Sequence, residues 1–548
     1  MDFIYSRYNI SDDEKKKERI LEIIPGALSW SIIIGVCALS FIKPILAAVI
    51  MVSFILYWVL RLIYMNIFLV ISYMRLTIEK DTDWMKRIEE IDEIEANINK
   101  LCRKSVSRGI KNRISNFIHY KQLYNLKKSG QFPVKSENIY HIVIIPVIKE
   151  KKYVVEPGIL GIKKGKYQPS RIMIVIAAEE SATNDVKEDM EKLREGYKKD
   201  FLDIMIVRHP NNIAGEAAVK GANTTFAAKY ASRYLKERNI PYENVIVSCF
   251  DADTVPKSDY FSCLTYHYMI NPRRTAVSFQ PIPVYHNNIL DVPGFARIID
   301  IGTSFFQLIE ATNPRKLVTF SSHSMSFKAL VEMDYWPRDM ISDDSAIFWK
   351  AYIHYQGQYK VVPMYITVSM DATIAEHWWQ SIKNIYKQRR RWAYGVENFP
   401  ILMRGFLQSP RISLYNKIRH IFKMLEGHVS WATWGFLITT LGWLPALLAG
   451  QKFQNTVIYY NEPHITGTIF RLSSFSLIIS VFLSLSLLPK PKTPFGWVMK
   501  LRHILEWWLM PFVIVFLSAL PALDAQTRLM FGQYMEFWVT DKSRKPAR

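Results

Sequence analysis

Apolar positions in this chain follow two kinds of pattern, and the two occupy different parts of it. Long runs stand towards the ends: residues 23–42, 44–74, 429–451, 472–489 and 507–523, with Arg61 the one charge among them. A run of about 20 apolar residues spans a bilayer as a helix, so these five stretches predict membrane segments. The first is not a cleavable leader, because no small-residue cleavage site follows it and the next run begins directly after Lys43. Residues 62–74 are expected to continue as a helix lying in the membrane interface, with Tyr64 and Tyr73 as anchors. Pro511 and Pro521 predict that the last run is broken or re-entrant.

Between the ends the pattern is shorter and more varied. Trp84, Ile88, Ile91, Ile94 and Ile98 recur every three or four residues in a heavily charged stretch, which predicts an amphipathic helical brace over 80–128. From Tyr140 onward, short runs rich in Ile and Val predict strands at His141–Val147, Arg171–Ala178, Leu202–Val207, Asn244–Phe250 and Thr275–Gln280. Helical stretches fall between them, notably Asp185–Lys199 and Gly215–Arg238. Strands alternating with helices imply a parallel-rich sheet covered on both faces, with ligands beyond the carboxyl ends of its strands.

Composition changes this picture in two respects. The 548 residues carry a formal net charge of +21, which fits nucleic acid, an anionic membrane surface or an anionic substrate. Much of the charge flanks the apolar runs and no nucleic-acid motif accompanies it, so membrane lipids are the expected partner and nucleic acid is not. Basic residues follow Arg75 and return in the tail, at Lys542, Arg544, Lys545 and Arg548, and the positive-inside rule places residues 75–428 in the cytoplasm. An inner or plasma membrane is the expected location. The cysteines Cys37, Cys102, Cys249 and Cys263 form no C-x-x-C pair, which favours reduced thiols. The expected division is a cytoplasmic N-terminus (1–22), two transmembrane or interfacial helices (23–74), a charged connector (75–137), a catalytic domain (138–400), interfacial helices (401–428), C-terminal spans (429–525) and a basic tail (526–548).

Candidate chemistry gathers in the central part. The apolar strand ending at Phe250 runs into Asp251-Ala252-Asp253-Thr254. Residues two apart in extended chain point to one side, and two carboxylates at a strand end suit a hard cation such as Mg²⁺ or Mn²⁺ able to bridge a diphosphate. An Asx turn closing the strand is the alternative. Asp343 and Asp344 form a second pair before the helical stretch Ser345–Tyr355. Adjacent acids can raise a pKa towards the range of a general base, and the same residues can cap a helix. Gln388, Arg391 and Trp392 stand at i, i+3 and i+4 of a helical stretch and share one face. An arginine there can grip a phosphate and a tryptophan can stack on a sugar, or the helix is simply basic and interfacial. Lys220-Gly221-Ala222-Asn223 sets a lysine near a helix start, a placement that suits a phosphate.

In this order the pieces resemble the membrane-integrated family 2 glycosyltransferases, the group that includes cellulose synthase and hyaluronan synthase. The matching elements are Ile145-Pro146 with Glu150, Lys220-Gly221-Ala222-Asn223, Asp251-Ala252-Asp253, Ser342-Asp343-Asp344, and Gln388 with Arg391-Trp392, lying between membrane runs. The resemblance implies an α/β GT-A domain, with a mixed, mostly parallel sheet and helices on both faces, inserted between transmembrane helices. It also implies an inverting transfer from a UDP- or GDP-sugar to a polysaccharide or lipid-linked acceptor. Carried over residue by residue, Asp253 would hold the metal with Asp251 beside the nucleotide, and Pro146, Glu150, Glu179 and Lys220 would line the donor. Asp344, paired with Asp343, would be the base. Gln388, Arg391 and Trp392 would close over the diphosphate and acceptor. His323 is a candidate for contact with the acceptor or donor, with a structural histidine as the alternative.

Three features depart from the family pattern. Glu179-Glu180 follows the second strand where Asp-Asp is usual, Ser342-Asp343-Asp344 stands for Thr-Glu-Asp, and Thr319–Ser326 lacks the Gly-Thr of processive enzymes. A single-transfer, glycolipid-forming enzyme is therefore the alternative to a polysaccharide synthase. Asp251-Ala252-Asp253-Thr254 also resembles the haloacid-dehalogenase phosphatase signature, but that signature opens its domain, and here more than a hundred residues precede it. An inactive membrane scaffold is the non-enzymatic alternative.

Overall fold

Ser11 and Glu14 cap each other's backbone and start helix α1 (Asp12–Ile42). Lys43 breaks it, and Pro44, at a position where no helical N–H is needed, starts α2 (Pro44–Glu79). The computed structural model describes residues 3–94, 109–448, 471, 475–489 and 497–539. Ile98, Cys102 and the basic tail from Asp541 therefore lie outside the described residues.

Helix α2 is continuous through residues 62–74, with no separate interfacial segment. Its 36 residues rise about 54 Å, more than the roughly 30 Å of a bilayer core. The excess leaves the apolar zone and packs on the sheet domain: Leu69, Val70, Tyr73 and Leu76 join Tyr365 in one cluster, and the Arg75 guanidinium lies 4.2 Å from the Tyr365 ring centre. Tyr73 is thus committed to a protein contact.

Three described helices are long and apolar enough to cross a membrane: α1, α2 and the run Leu501–Met530. Exposed Ile34, Ile45, Leu46, Leu60 and Ile67 on the first two fit a lipid-facing surface. Leu501–Met530 passes through a 3-10 turn at Glu506–Leu509 and a π turn at Val515–Ala519, so Pro511 and Pro521 alter its hydrogen bonding without breaking it. The run at 429–451 is divided: helix Leu414–Thr439 ends, a 3-10 turn takes Leu441–Trp443, and Leu444–Leu448 resumes. The run at 472–489 contributes the shorter helix Phe475–Leu487.

The central part folds around an eight-stranded sheet of order β3-β2-β1-β4-β7-β6-β8-β5. Strands β1 (Tyr140–Val147), β2 (Ile172–Glu179), β3 (Asp203–His209) and β4 (Val245–Cys249) are parallel. Strand β7 (Ser324–Ser326) runs antiparallel to β4 and to β6 (Val277–Val284). Strand β8 (Lys360–Ser369) is parallel to β6, and the short β5 (Val255–Pro256) closes the edge antiparallel to β8. The sheet is mixed, as expected, with its parallel half formed by the predicted βα alternation.

Side-chain alternation explains the layers. Val143, Ile145 and Val147 of β1 pack with Val155, Ile159 and Ile162 of the helix Lys152–Lys163 on one face. Ile142 and Ile144 pack with Ala227, Ala228 and Ala231 of the helix Lys220–Glu237 on the other. Both faces are covered, so β1, β2 and β4 are mostly apolar and their carboxyl ends are left to carry chemistry.

Candidate active site

The helix Lys220–Glu237 starts beside the carboxyl end of β4. Its first residue is 8% exposed, and Nζ donates to Asp251 Oδ1 at 2.8 Å and to Asp344 Oδ1 and Oδ2 at 3.0 and 3.2 Å. Burial pulls the ammonium pKa down, but Asp251 and Asp344 outweigh it and hold it well above the ordinary value. Gly221 makes this geometry possible: a Cβ there would sit 2.2 Å from Pro337 O and 3.2 Å from Asp343 Cβ. The two segments touch backbone to backbone, which brings Lys220 to the acid pair.

Asp251 and Asp253 leave β4 through a turn in which Thr254 N donates to Asp251 O at 2.9 Å. The segment thus leaves the strand in a turn closed by backbone atoms, with both carboxylates at the strand end. The Ser321 hydroxyl donates to Asp251 Oδ2. Asp253 is 1% exposed, and its Oδ2 accepts Asp371 N at 3.0 Å. Asn287 Nδ2 donates to Asp253 O at 3.0 Å and to Asp371 Oδ1 at 2.8 Å, tying the β4 end to the segment that follows β8.

The acid pair opens the helix Asp343–His354. Ser342 N and Oγ donate to Glu397 Oε1 at 2.9 and 2.7 Å, fixing the helix start. The two carboxyls then face different surroundings. Asp343 is buried and its Oδ2 makes no hydrogen bond; burial, with Asp344 and Asp251 adding to it against Lys220 and Arg391, pushes it up to about 8. Asp344 keeps a quarter of its side chain exposed and holds the Lys220 ion pair. His323 lies behind Asp344, fully buried, its Nδ1 3.7 Å from Asp344 Oδ1 and donating to Phe320 O at 3.1 Å. Burial lowers its pKa, so the imidazole is neutral.

Across from the acids runs the helix Trp378–Ala393. Gln388 Oε1 accepts from Thr373 Oγ1 at 3.0 Å. Arg391 feels Asp251, Asp343 and Asp344, which oppose the lowering of its pKa by burial, and its Nε makes no hydrogen bond. Trp392 packs in an apolar cluster with Ile289 and Met370 beneath the Arg389 guanidinium, 4.9 Å from its ring centre. Gln388, Arg391 and Trp392 share a helix, but only Arg391 faces the acids.

Sequence reasoning missed a strap, residues 533–539, that follows the last described helix. Arg391 stands 4.9 Å from the Phe537 ring centre, Lys387 5.2 Å from that of Trp538, and Lys149 Nζ donates to Val539 O at 3.0 Å. Its aromatic content, Tyr534, Phe537 and Trp538 beyond a terminal span, was the available signal.

Of the donor-side residues, Pro146 sits in β1 opposite Ala177. Glu150 turns back to accept Ile148 N and Lys149 N at 2.8 and 3.1 Å. Glu179, at the end of β2, belongs to a cluster that the pattern did not reveal: its Oε2 is 3.0 Å from His209 Nδ1, and His209 Nε2 is 3.0 Å from Glu216 Oε2. The hydrogen bond with Glu179, then that with Glu216, raise the His209 pKa against partial burial.

The end of β4 gathers oxygen donors of the kind a divalent cation takes. Among the described residues no group of three or more His, Cys, Asp or Glu side chains forms a ready-made metal site. The carboxylates present, Asp251 and Asp253 with Asp371 linked to them through Asn287, are hard oxygen donors. They fit Mg²⁺ or Mn²⁺ in a site completed by a ligand's own oxygens.

A family model described as glycosyl transferase family group 2 matches residues 246–522, half of the chain, and takes in both acid pairs and the Gln388–Trp392 segment. The chain belongs to this family. The family 2 domain has the GT-A architecture, and the mixed sheet with helices on both faces agrees with it. Similar proteins include the poly-beta-1,6-N-acetyl-D-glucosamine synthases of Staphylococcus epidermidis, 23% identical over 56% of this chain and 65% of that protein, and of Staphylococcus aureus strain COL, 23% identical over 53% and 63%. The chain thus spans less than two thirds of the length of these curated relatives. Among solved structures, the mannosyltransferase PcManGT from Pyrobaculum calidifontis in complex with GDP-Man and Mn²⁺ is 14% identical, with a TM-score of 0.39 over 71% of this chain and 99% of that one. Staphylococcus aureus TarS 1–349 in complex with UDP-GlcNAc is 13% identical, with a TM-score of 0.30 over 63% and 91%.

Proposed function

We propose that this family 2 enzyme is a membrane-bound inverting transferase that moves a sugar from a nucleotide diphosphate donor to a growing polysaccharide at the cytoplasmic face. The observation that carries the reading is Lys220 held between Asp251 and Asp344. One ammonium joins the donor-side carboxylate to the acid of the second pair, so the two motifs form one site. UDP-N-acetylglucosamine is the first donor to test, because the similar staphylococcal proteins are poly-beta-1,6-N-acetyl-D-glucosamine synthases.

Asp344 takes the proton of the acceptor hydroxyl as that oxygen attacks the anomeric carbon. The bond from the anomeric carbon to the diphosphate oxygen breaks as the new glycosidic bond forms, and configuration inverts. Asp343 is buried and its pKa raised by that burial, which leaves Asp344 as the accessible carboxylate of the pair. Arg391 and Lys220 lie where charge gathers on the departing diphosphate. Asp251 and Asp253 would hold Mg²⁺ or Mn²⁺, which supplies charge neutralisation to the diphosphate. Glu179 and His209 border the nucleotide end, and Pro146 and Glu150 the β1 side of the donor. Gln388 and Trp392 anchor the helix carrying Arg391, and His323 packs behind Asp344.

The test is transfer from radiolabelled UDP-N-acetylglucosamine and GDP-mannose by protein in nanodiscs with Mg²⁺ or Mn²⁺, products resolved by size. Wild type runs beside Asp253→Asn and Asp344→Asn. Long product lost in both variants is the expected result. A product one sugar long on a lipid acceptor would favour the glycolipid-forming alternative, and transfer that survives both substitutions would overturn the site.

A further inference from the structure

A second charged cavity lies away from the acid pairs, where the chain enters α1. It has a volume of about 440 Å³ and is lined by Arg7, Tyr8, Lys15, Lys16, Arg19 and Tyr534. Four of its six lining side chains are cationic, and none is acidic. Their partners neutralise only part of the charge. Arg19 Nη1 pairs with Glu22 at 2.7 Å, Lys15 with exposed Asp12 at 3.1 Å, and Lys16 makes no ion pair among the described residues.

Arg7 is the informative member. It is 7% exposed and ion-paired at a distance with two buried carboxylates, Nε 3.8 Å from Glu22 Oε1 and Nη2 3.2 Å from Glu397 Oε2, yet neither nitrogen makes a hydrogen bond. A buried guanidinium with unused N–H groups on a cavity wall is costly unless an acceptor meets it. The Tyr534 ring lies 4.5 Å from its carbon and closes one side. Phosphate oxygens are the acceptor that matches a planar guanidinium flanked by lysines.

Location adds to chemistry. The cavity borders the first two turns of α1, and the apolar run begins at Ile23, roughly 10 Å further along the axis from Lys16. That is the depth of a membrane surface.

We infer that this cavity binds a phosphate-bearing anion, supplied either by an anionic lipid headgroup or by a soluble phosphate compound, and that its occupation is sensed at the acid pair. The route is short. Arg7 faces Glu397, whose other oxygen takes both donors of Ser342, the residue before Asp343 and Asp344. Tyr534 belongs to the same strap that places Phe537 against Arg391. An anion drawing Arg7 away from Glu397 therefore acts on the start of the acid-bearing helix from one side and on the strap from the other.

The test is hydrogen exchange of the full chain and needs no transfer assay, so it stands or falls separately from the proposed activity. Protein is compared in phosphatidylcholine nanodiscs, in nanodiscs of equal parts phosphatidylcholine and phosphatidylglycerol, and in phosphatidylcholine nanodiscs with added inorganic pyrophosphate. Slower exchange at residues 7–19 and 533–537 is expected, with a change at 342–345. Protection by phosphatidylglycerol alone identifies a lipid source, protection by pyrophosphate alone a soluble one, and protection by both a site that reads phosphate from either. Because pyrophosphate can also reach Arg391, the exposed double variant Lys15→Gln with Lys16→Gln is measured in parallel. It should raise the concentration for half-protection of 7–19 about fivefold. Arg7→Lys, which keeps charge but not the planar fork, should weaken it further. No protection at 7–19 under any condition, or protection unchanged in the double variant, would overturn the inference.

Discussion

Two ion-pair clusters stand at the carboxyl ends of the parallel strands, and each places one cation between two carboxylates. At the end of β4, Lys220 lies between Asp251 and Asp344. At the ends of β2 and β3, His209 lies between Glu179 and Glu216. The arrangement is the same and the central group is not. Lys220 is held well above its ordinary value, so its charge persists over the whole working pH range. His209 starts from 6.5 and is raised by its hydrogen bonds to Glu179 and Glu216, so it remains a titratable group whose charge is lost as pH rises through the folded value. One cluster is fixed and joins the two acid motifs; the other is titratable and borders the β2 end.

The largest effect expected falls on the fixed cluster. Asp344→Asn should lower transfer by about 10²- to 10⁴-fold, the scale of a lost general base, while donor affinity measured by calorimetry changes little. A comparable loss of donor binding would move Asp344 out of the base role. Lys220→Met leaves the partly exposed carboxylates of Asp251 and Asp344 facing each other without the cation between them. It should cost about 3–5 kcal/mol of stability, read as a fall in the midpoint of thermal unfolding, together with loss of transfer. If His209→Met costs as much, the two clusters are not different in kind.

Gly221→Ala tests the contact beneath the fixed cluster. A methyl group 2.2 Å from Pro337 O forces the two segments apart, at a cost of about 1–3 kcal/mol, and should lower transfer more than any other alanine in that helix.

The titratable cluster gives a pH signature. The folded pKa of His209 lies above its unfolded value of 6.5. Its contribution is therefore complete below pH 6.5 and is lost as pH rises through the folded value. Exchange of the 210–219 amides should quicken through that window in wild type and stay level in His209→Gln. A level profile in wild type would remove the contrast with Lys220. The smallest effect expected is that of Phe537→Ala, which removes a contact worth about 0.5–1 kcal/mol and should raise the Michaelis constant for the donor severalfold with little change in stability.

Legibility in the sequence followed the range of the interaction. The β1–β4 strands and the helices before β3 and β4 rest on local periodicity and were readable to within about five residues, whereas the helix Lys152–Lys163 between β1 and β2 was not singled out. Strands β5, β7 and β8 were not, because β5 and β7 are two and three residues long and all three take their place from partners far away in sequence. Asp251 and Asp253 were legible as a motif. Ser321 and Asp371, which hold those carboxylates, and Asn287, which holds the Asp253 backbone carbonyl, were not, because each reaches the motif across 30 or more residues of chain. The three-residue and four-residue spacing of Gln388, Arg391 and Trp392 predicted a common face, yet their neighbours divide them between a threonine, the acids and an apolar cluster.

The sequence by itself determined that apolar helices flank an α/β domain, that carboxylates end a buried strand, and that a lysine starts the following layer's helix. These are consequences of spacing, which is a local property. Only the tertiary structure decided that Lys220 meets both acid motifs, that Asp343 is the buried acid and Asp344 the accessible one, and that Arg391 meets the 533–539 strap. Each of these depends on burial and on distance between remote segments, and neither exists until the sheet and the helices have packed.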